Sequence, residues 1–482
     1  MTQRLGRRLV CKAIVAGPVL AWGSGCRRPA GKTAISVHAG SADGLFDRLS
    51  GVQGSPAPII EGEPLLTARF REAGIEWSRF PQDCLPNTLT LAGLFPDENA
   101  DPEAEASYRF AGLDAHVTAA LEAGAQILWQ SSYDVGSSDG WVGLNHGGRP
   151  PAQLDRWSRV LERTLEHLNV GWAGGFQGAV RFVEFLNEPN GLGGFRGAEA
   201  PRLVPVFLRF LETIERFNAA HPARAVQPVG PGIPLGIRAW PGLRPLFESI
   251  IDGVRNSGRA LPVFSFHTYG EDVSPPSNAR LARELRALLD GRGLPGAQLW
   301  NTEWQATDHV KQVLGIDAAR IASATADEQK TYASAMAAYA IACKLRWQGV
   351  VTGSFYYRAN RRAWPEGSAP AGDGRGGFFP REGGLSPLAL QEQLMAQARQ
   401  GTPERCATTW TDDGELTAQG LRSADGKSAA LLVSSLSQAD RELEVTFSFE
   451  GLSDGAALTP SLVPIRAGAE ALVPASLASV VP

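Results

Sequence analysis

The sequence predicts a (β/α)8 barrel of the TIM type over residues 47–383, followed by a small antiparallel β domain over residues 384–482. Three observations support this fold class. Short apolar segments alternate with amphipathic, helix-like segments through most of the chain, which is the pattern of parallel β/α repeats. Eight strand candidates occur before residue 384, as such a barrel requires. Beyond that point, short alternating stretches are separated by Gly, Asp and Ser turns, which indicates antiparallel strands.

Each strand candidate of the barrel is an apolar run bounded by turn residues or by a helical pattern. In chain order the candidates are 49–54, 74–79, 126–131, 179–186, 226–230, 263–268, 297–302 and 349–356. The helices expected between them include 63–72, 111–123, 154–168, 203–219, 278–289 and 328–345. A doubly wound sheet is the competing arrangement, but it usually has fewer strands and a G-x-G-x-x-G turn after its first strand, and no convincing turn of that kind is found here.

The C-terminal region is predicted to be a β-sandwich-like accessory domain. Residues 429–434 and 442–449 alternate in the manner of half-buried strands, and residues 33–37 are an isolated strand candidate that could join the same sheet. Trp410 is the region's one tryptophan. A sugar-binding face usually has more aromatic side chains, so a packing role is favoured over a separate binding module.

Composition excludes one class of partner and indicates a folded protein. The hydrophobic fraction is 43%, charged residues make up 20%, and the formal net charge is −4. These values are typical of a globular chain with a sizeable core. A chain without a basic field is not expected to bind nucleic acid.

The first 25 residues have the features of an export signal. Basic residues precede an apolar stretch, 13–22, that is too short to span a bilayer, and Arg7-Arg8 resembles a twin-arginine signal. Residues 23–26 resemble a lipoprotein cleavage box in which Cys26 would carry the lipid, although Gly23 stands where Leu is usual. We therefore expect an exported protein, either periplasmic or held at the outer membrane or cell surface through a lipidated Cys26.

Neither a metal nor another cofactor is expected. Beyond Cys26 the chain has Cys84, Cys343 and Cys406, without C-x-x-C spacing, which allows one disulfide and fits three buried thiols at least as well. The histidines show no metal-ligand spacing, and no H-E-x-x-H motif occurs.

Two strand candidates end in a glutamate. In FVEFLNEPN, residues 182–190, an apolar strand stops at Asn187-Glu188-Pro189, since proline cannot continue a strand ladder. Glu184 shares strand parity with Glu188, so it should be a buried acid, and we expect Arg79 to be its partner. In QLWNTEWQ, residues 298–305, a second apolar strand ends in Glu303.

The spacing of these two glutamates places them across the mouth of a barrel. They are 115 residues apart (303 − 188), about three β/α units of roughly 35–40 residues each. The two glutamates therefore belong to the fourth and seventh strands, whose C-terminal ends face the same opening. Two carboxyl groups about 5–5.5 Å apart are what retaining glycoside hydrolysis requires.

At these motifs the chain resembles the retaining glycoside hydrolases of the large (β/α)8 clan that has catalytic glutamates on strands four and seven. Within that clan it looks most like glycoside hydrolase family 39, which contains β-xylosidases and α-L-iduronidases. Asn187-Glu188-Pro189 matches the acid/base signature, Thr302-Glu303-Trp304 matches the nucleophile strand, and Phe266-His267-Thr268-Tyr269 corresponds to the sixth strand. The resemblance covers about residues 47–390.

The resemblance implies a role for each matching residue. Glu188 would be the acid/base and Glu303 the nucleophile, and Asn187 would bind the sugar 2-hydroxyl. Three further residues would support the nucleophile: His267 and Tyr269 by orienting or polarising its surroundings, and Arg79 by holding a carboxylate ionised. Pro81 stands where family members usually carry a sugar-binding histidine, so the sugar is expected to be held differently.

Several aromatic residues near strand ends are candidates for the cleft. Trp129, Trp141 and Trp304 could stack on sugar faces or pack in the core. One of Tyr356 and Tyr357, which end the eighth strand, is expected to line the cleft. The chemistry requires Glu303 ionised and Glu188 protonated at rest, and Arg79 and hydrogen bonds are expected to keep the pKa of Glu303 low.

Four functions remain open from the sequence. An exo-acting, β-xylosidase-like retaining glycosidase with an oligo- or polysaccharide substrate is favoured. An endo-glycanase or uronidase of the same clan and a non-catalytic carbohydrate-binding surface lipoprotein are the alternatives. An unrelated barrel enzyme, such as an aldolase or a phosphate-sugar isomerase, would need a strand-end lysine or a phosphate-binding glycine loop, and neither is visible. The oligomeric state is unknown at this stage.

Overall fold

The computed structural model describes residues 7–15, 31–58, 64–80, 91–131, 153–190, 195, 197–270, 272–306, 309–310, 326–359, 379, 385–411, 414–436, 441–449 and 479–481. The strands in these parts are β1 (Arg7–Val15), β2 (Gly31–Leu45), β3 (Gly51–Gln53), β4 (Trp77–Phe80), β5 (Gln126–Gln130), β6 (Phe182–Glu184), β7 (Gln227–Leu235), β8 (Val263–Thr268), β9 (Gln298–Trp304), β10 (Gly353–Tyr356), β11 (Glu404–Trp410), β12 (Leu416–Arg422), β13 (Ala429–Ser435), β14 (Arg441–Phe449) and β15 (Ser479–Val481). The α-helices are α1 (Thr67–Ala73), α2 (Leu91–Leu94), α3 (Ala111–Glu122), α4 (Leu154–Asn169), α5 (Leu203–Ala220), α6 (Trp240–Ser257), α7 (Pro275–Gly291), α8 (Ala326–Trp347) and α9 (Pro387–Gly401).

Strands β3 to β10 form a closed parallel barrel, so the predicted fold class is confirmed. Every predicted barrel strand overlaps an observed one. Helix α6 was not among the predicted helices, because Pro241, Gly242 and Pro245 give its first turns the composition of a loop. Its later residues nevertheless bury an apolar stripe spaced as a helix requires, at Phe247, Ile250, Ile251 and Val254.

The region after residue 384 begins with a helix and not with a strand. Helix α9 is capped by Ser386, whose hydroxyl accepts a hydrogen bond from the Ala389 backbone N–H at 3.4 Å. The buried ion pair of Lys344 with Glu392 joins α9 to α8. Helix α9 therefore belongs to the ring of helices around the barrel, and the sheet strands of this region begin at Glu404, about 20 residues later than predicted.

The remaining strands form one sheet in the order β13-β12-β11-β2-β14-β1-β15. The strand predicted at 33–37 is part of β2, which pairs antiparallel with β11 and parallel with β14. A sandwich would require a second sheet facing this one, and the described strands contain none. The sheet packs on α8, where Ser434 Oγ donates to Ala338 O at 2.6 Å and Arg346 Nε donates to Thr417 Oγ1 at 2.8 Å.

The N-terminal segment also takes part in this sheet, which was not predicted for an export signal. Strand β1 pairs antiparallel with β14 along nine residues and with β15 along three. Residues 16–30, including Cys26, lie outside the described residues. Among the described residues, no helix has the length and apolar character needed to cross a membrane.

Apolar side chains fill the lower part of the barrel interior and form a floor. The floor consists of Trp77, Leu128, Phe182, Val229, Val263, Trp300 and Phe355. Its rings are in close contact, with centroid distances of 5.4 Å for Trp77–Trp300 and 4.8 Å for Phe182–Trp300. A much larger cluster lies between the strands and the surrounding helices. The floor thus closes one end of the barrel and leaves the C-terminal ends of the strands as its opening.

Two cysteines that the sequence left open are free thiols. Cys343 on α8 and Cys406 on β11 are both buried and unpaired. Burial raises the pKa of the Cys343 thiol, which stays protonated at neutral pH. Cys84 lies outside the described residues.

Candidate active site

A polar layer lies directly above the apolar floor, and strand alternation explains its position. Because inward-facing residues recur every second position along a strand, Arg79 follows Trp77 into the interior, Gln130 follows Leu128 and Glu184 follows Phe182. These residues stand at the C-terminal ends of their strands, where (β/α)8 barrels place their active sites.

Arg79 is the centre of this layer. It is fully buried, and its Nε donates to Glu184 Oε2 at 2.5 Å, which is the predicted pairing. Its Nη1 donates to Glu303 Oε2 at 2.7 Å and to Gln53 Oε1 at 2.6 Å, and its Nη2 lies 3.2 Å from Asn187 Oδ1. A single guanidinium therefore holds two carboxylates from opposite sides of the barrel.

A β-bulge points Glu303 into the barrel. Along the pair of β8 with β9, Phe266 is opposite Asn301 and His267 is opposite Glu303, so Thr302 is an extra residue. The Asn301 amide spans the bulge, and we assign its orientation from the hydrogen bonds that it can make: the nitrogen donates to the backbone oxygens of Glu303 at 3.0 Å and Phe266 at 3.1 Å, and the oxygen accepts from Thr268 Oγ1 at 2.8 Å. Bulges change the direction of a side chain in this way next to active sites. The extra residue turns Glu303 inward and leaves Trp304 facing outward.

Glu188 enters the site from a strained turn after β6. Its φ is 44°, in the left-handed region that residues other than glycine rarely adopt. Its backbone N–H donates to Gly232 O at 3.1 Å on the neighbouring strand β7. Strain of this kind is kept where the surroundings fix the residue, and it concentrates at functional sites. The Glu188 side chain is held at the barrel opening and is 12% exposed.

His267 bridges Glu188 and Arg79. Its Nδ1 lies 3.0 Å from Glu188 Oε1, and its Nε2 lies 3.4 Å from Arg79 Nη2. Because a guanidinium can only donate, Nε2 is the accepting nitrogen, and we assign the ring proton to Nδ1, which donates to Glu188. His267 is fully buried and thus fixes the position of the Glu188 carboxyl group.

Tyr269 holds the other carboxylate. Its hydroxyl donates to Glu303 Oε1 at 2.6 Å, while Arg79 occupies Oε2. Burial and the Glu303 charge raise the pKa of Tyr269 well above its usual value, so the phenol stays a hydrogen-bond donor. The ring of Tyr357, just after β10, lies 6.4 Å from that of Tyr269, whereas Tyr356 packs in the core against Trp304.

The two glutamates are close enough to act on one bond. Single ligand atoms of Glu188, His267 and Glu303 all lie within 4.8 Å of one another. Such a triad could also surround a cation, but the Arg79 guanidinium already contacts Glu303 and puts a positive charge there. The arrangement instead suits one carboxyl group that exchanges a proton and one carboxylate that attacks carbon.

The pKa of Glu303 is raised, whereas the sequence led us to expect a low value. Burial raises it above the usual value, the electropositive groups of His267 and Arg79 oppose the rise, and the Glu188 charge adds to it. The prediction that Arg79 and hydrogen bonds would hold this pKa low was wrong, because the site is more completely shielded from water than the sequence indicated. A carboxylate with a raised pKa is the better nucleophile.

Because the pKa of Glu303 is raised, Tyr269→Phe should alter the pH dependence of the enzyme. The Tyr269 hydrogen bond lowers the pKa of Glu303, so its loss should raise that pKa further and move the acid limb of kcat/KM to higher pH. Since a hydrogen bond to a charged group contributes about 1.5–3 kcal/mol, kcat/KM near pH 6 should fall roughly tenfold or more. A pH–rate profile of both enzymes measures this, and an unmoved acid limb would contradict the assignment.

Two tryptophans predicted to bind substrate do not reach the opening. Trp129 and Trp304 are fully buried in the layer between strands and helices, because both face outward from their strands. The Trp304 indole donates to Ser354 Oγ at 2.8 Å and packs edge-on against Trp347. Both are packing residues, so the substrate-binding prediction was wrong for them. Trp141 and Pro81 lie outside the described residues.

The two tryptophans should respond differently to replacement by phenylalanine. Trp304→Phe leaves Ser354 without its donor, so unfolding free energy should fall by about 1–3 kcal/mol. Trp129→Phe removes an indole N–H that has no hydrogen-bond partner among the described residues, so it should cost less. KM should not change in either variant. Thermal unfolding and steady-state kinetics test this, and a raised KM at normal stability would restore a role in binding.

Three residues of the site were not predicted. Gln53 accepts a hydrogen bond from Arg79, and Gln130 Nε2 donates to Asn187 Oδ1 at 3.2 Å. Gly232 has a φ of +65° and faces Leu186 O, and a Cβ there would lie 3.5 Å from Glu184 Oε1. Strand-end position was a usable signal for the two glutamines, since each ends its strand. The conformation of Gly232 has no local sequence signal.

No protein-family model matches this sequence, and neither does any curated protein. Among solved structures, a glucosidase from Croceicoccus marinus is similar at 25% identity and a TM-score of 0.62, over 83% of this chain and 78% of that one. A family 39 β-xylosidase from Caulobacter crescentus is similar at 19% identity and a TM-score of 0.57, over 83% and 80%. A family 44 xyloglucanase from Paenibacillus polymyxa is similar at 12% identity and a TM-score of 0.54, over 93% and 95%.

The closed barrel, its polar layer and the paired glutamates together define the class of protein. This chain is a glycosidase of the (β/α)8 type. The motifs around Glu188 and Glu303 resemble those of the family 39 glycoside hydrolases, and a family 39 β-xylosidase is among the solved structures that share this fold.

Proposed function

We propose that this enzyme is a retaining, exo-acting glycoside hydrolase that resembles the β-xylosidases. The observation that carries the proposal is the separation of at most 4.8 Å between a Glu188 oxygen and a Glu303 oxygen. Inverting enzymes need about 6.5–9.5 Å between their carboxyl groups to admit a water molecule, whereas retaining enzymes need about 5–5.5 Å. The short distance favours direct attack by a carboxylate.

In the first step, Glu303 attacks the anomeric carbon while the glycosidic C–O bond breaks. Glu188 gives its proton to the leaving oxygen and becomes a carboxylate. In the second step, Glu188 takes a proton from water, whose oxygen attacks the same carbon and releases Glu303. Arg79 and Tyr269 hold one oxygen each of Glu303, which fixes the direction of its attack. Asn187, with Oδ1 held by Arg79 and Gln130, would donate from Nδ2 to the sugar 2-hydroxyl.

A uronidase is the second candidate, and one observation favours it. A sugar carboxylate needs a cation, and Arg79 is already committed to two carboxylates. Arg358 is a second guanidinium near the opening; it is 4% exposed and lies 5.4 Å from the ring centroid of Tyr357. The Tyr357 ring in turn lies 6.4 Å from that of Tyr269, whose hydroxyl binds Glu303.

A panel of aryl glycosides tests both candidates. The panel contains β-xyloside, α-arabinoside, β-glucoside, β-glucuronide and α-iduronide, each assayed with wild type and with Glu303→Ala. Cleavage of a neutral glycoside by wild type alone supports the first candidate, and cleavage of a uronide supports the second. Proton NMR of the first-formed sugar anomer shows retention or inversion. No cleavage of any member would favour an endo-acting enzyme or a carbohydrate-binding lipoprotein, which digestion of polysaccharides separates.

We also propose that the enzyme is exported and that Cys26 anchors it to a membrane. The support is the sequence pattern of residues 1–26. Cell fractionation with detection of the mature N-terminus tests the proposal, and an unprocessed protein in the cytoplasm would contradict it.

A further inference from the structure

Glu184 is a third carboxylate in the site, and the proposed mechanism does not use it. It is fully buried, and its Oε2 accepts from Arg79 Nε at 2.5 Å. On the same guanidinium, Nη1 binds Glu303 at 2.7 Å. Arg79 therefore lies between a carboxylate that takes part in the reaction and one that does not.

The charge on the two carboxylates changes differently during catalysis. When Glu303 attacks, it becomes an uncharged ester, and Arg79 loses that partner. A buried guanidinium without a counter-charge is strongly disfavoured. Glu184 forms no bond to the sugar and keeps its charge, so Arg79 remains paired in the intermediate.

The second oxygen of Glu184 also indicates that Arg79 is the main partner of this carboxylate. Oε1 is buried and has no hydrogen-bond partner among the described residues. Gly232 lies beside it, where a Cβ would come within 3.5 Å. Buried polar oxygens usually have a hydrogen-bond partner, so leaving Oε1 without one costs stability. Here the Arg79 ion pair is the dominant interaction of the charge.

We propose that Glu184 is a positioning residue that keeps Arg79 paired, and so in place, while Glu303 carries the glycosyl group. The inference rests on the proposed retaining mechanism. Glu184 acts through Arg79 and touches neither the sugar nor the reacting atoms. Its charge also acts on both catalytic carboxyl groups, so the pH dependence of the enzyme should report it.

The test is Glu184→Gln, which keeps the shape and removes the charge. The groups that act on Glu303 are Arg79 on β4, Glu188 after β6, His267 on β8 and Tyr269 after β8, and Tyr357 after β10 acts in turn on Tyr269. With the negative charge of Glu184 removed from the far side of Arg79, Glu303 and Glu188 should each release a proton more easily. Both limbs of kcat/KM should therefore move to lower pH.

A second readout isolates the intermediate. With an activated aryl glycoside, breakdown of the glycosyl-enzyme limits kcat, and this is the state in which Arg79 would lack its partner. Because Glu184→Gln destabilises the glycosyl-enzyme more than the free enzyme, we expect kcat/KM to fall about tenfold or more and the burst of released phenol to shrink. Unmoved pH limbs together with an unchanged burst would overturn the proposal.

Glu392→Gln is the matched control. Glu392 is also a fully buried glutamate, and it pairs with Lys344 between α8 and α9, in the outer ring of helices. This variant should lose stability without any shift of the pH limbs. An equal shift in both variants would show that the effect is not specific to Arg79, and this would overturn the proposal.

If Glu184→Gln does not fold, a relocated charge provides the test. Gln53 binds the same guanidinium at 2.6 Å, so Gln53→Glu with Glu184→Gln moves the counter-charge to another side of Arg79. The proposal predicts a folded enzyme with pH limbs near those of wild type, and an inactive or shifted double variant would overturn it. Wild type that cleaves no glycoside would instead refute the proposed function, so the two failures are distinguishable.

Discussion

Replacement of Glu303 by alanine should lower kcat/KM on any cleaved glycoside by about 10⁴-fold or more, since no other described side chain can take its place as the attacking group. Tyr269 and Arg79 hold its two oxygens toward the centre of the barrel, and the neighbouring Glu188 is held by His267. The loss should appear in kcat for activated and unactivated substrates alike, because the attack on carbon precedes both products.

Rescue by azide tests directly whether Glu303 is the nucleophile. The Glu303→Ala site has room for a small anion next to Arg79, so azide should restore turnover of an activated glycoside and give a product of inverted configuration. Product analysis by NMR measures the configuration. A rescued product of retained configuration, or full activity without azide, would exclude Glu303 as the nucleophile. Circular dichroism of the variant controls for folding.

Replacement of Glu188 by alanine should slow substrates with poor leaving groups by about 10²–10⁴-fold, the usual contribution of a general acid. For a dinitrophenyl glycoside, whose leaving group departs without a proton, the first step should be nearly unchanged. The basic limb of the pH profile should also disappear, because the group that must hold a proton is gone. A series of aryl glycosides with leaving groups of increasing pKa measures the effect.

The dependence of the rate on leaving-group pKa tests whether Glu188 is the general acid. Wild type should depend weakly on leaving-group pKa and the variant steeply. An equal loss for every leaving group would mean that Glu188 only shapes the site. His267→Asn is a useful companion, because it keeps the Glu188 carboxyl group and removes the Nδ1 hydrogen bond at 3.0 Å that positions it.

The barrel strands could be predicted from the sequence because each is an apolar run that ends in a turn or a polar group. The Arg79–Glu184 pair followed from one rule, since an acid in an apolar strand needs a buried partner. Helix α9 was missed because its polar, glutamine-rich surface gives little helical contrast, and two of its glutamine and glutamate side chains, Gln391 and Glu392, are buried.

The errors at the site have one physical origin. Strand alternation alone cannot place both Glu303 and Trp304 at the opening, because adjacent residues face opposite sides. The bulge at Thr302 decides which of them faces inward, and it is set by pairing with β8, a contact distant in sequence. The raised pKa of Glu303 likewise depends on shielding by the assembled barrel. Both features arise from tertiary structure and have no local pattern.

The apolar floor gives the barrel a single entrance, and this has a consequence for the reaction sequence. In the part of the chain that the structure describes, the rings in contact from Trp77 to Phe182 and Trp300 block the lower end of the barrel to water. The departing alcohol and the incoming water must therefore use the same opening, one after the other. Any alcohol present at that opening competes with water for the glycosyl-enzyme on equal terms of access. The groups around the entrance, more than the catalytic layer, would then set how much sugar is transferred to another acceptor and how much is hydrolysed.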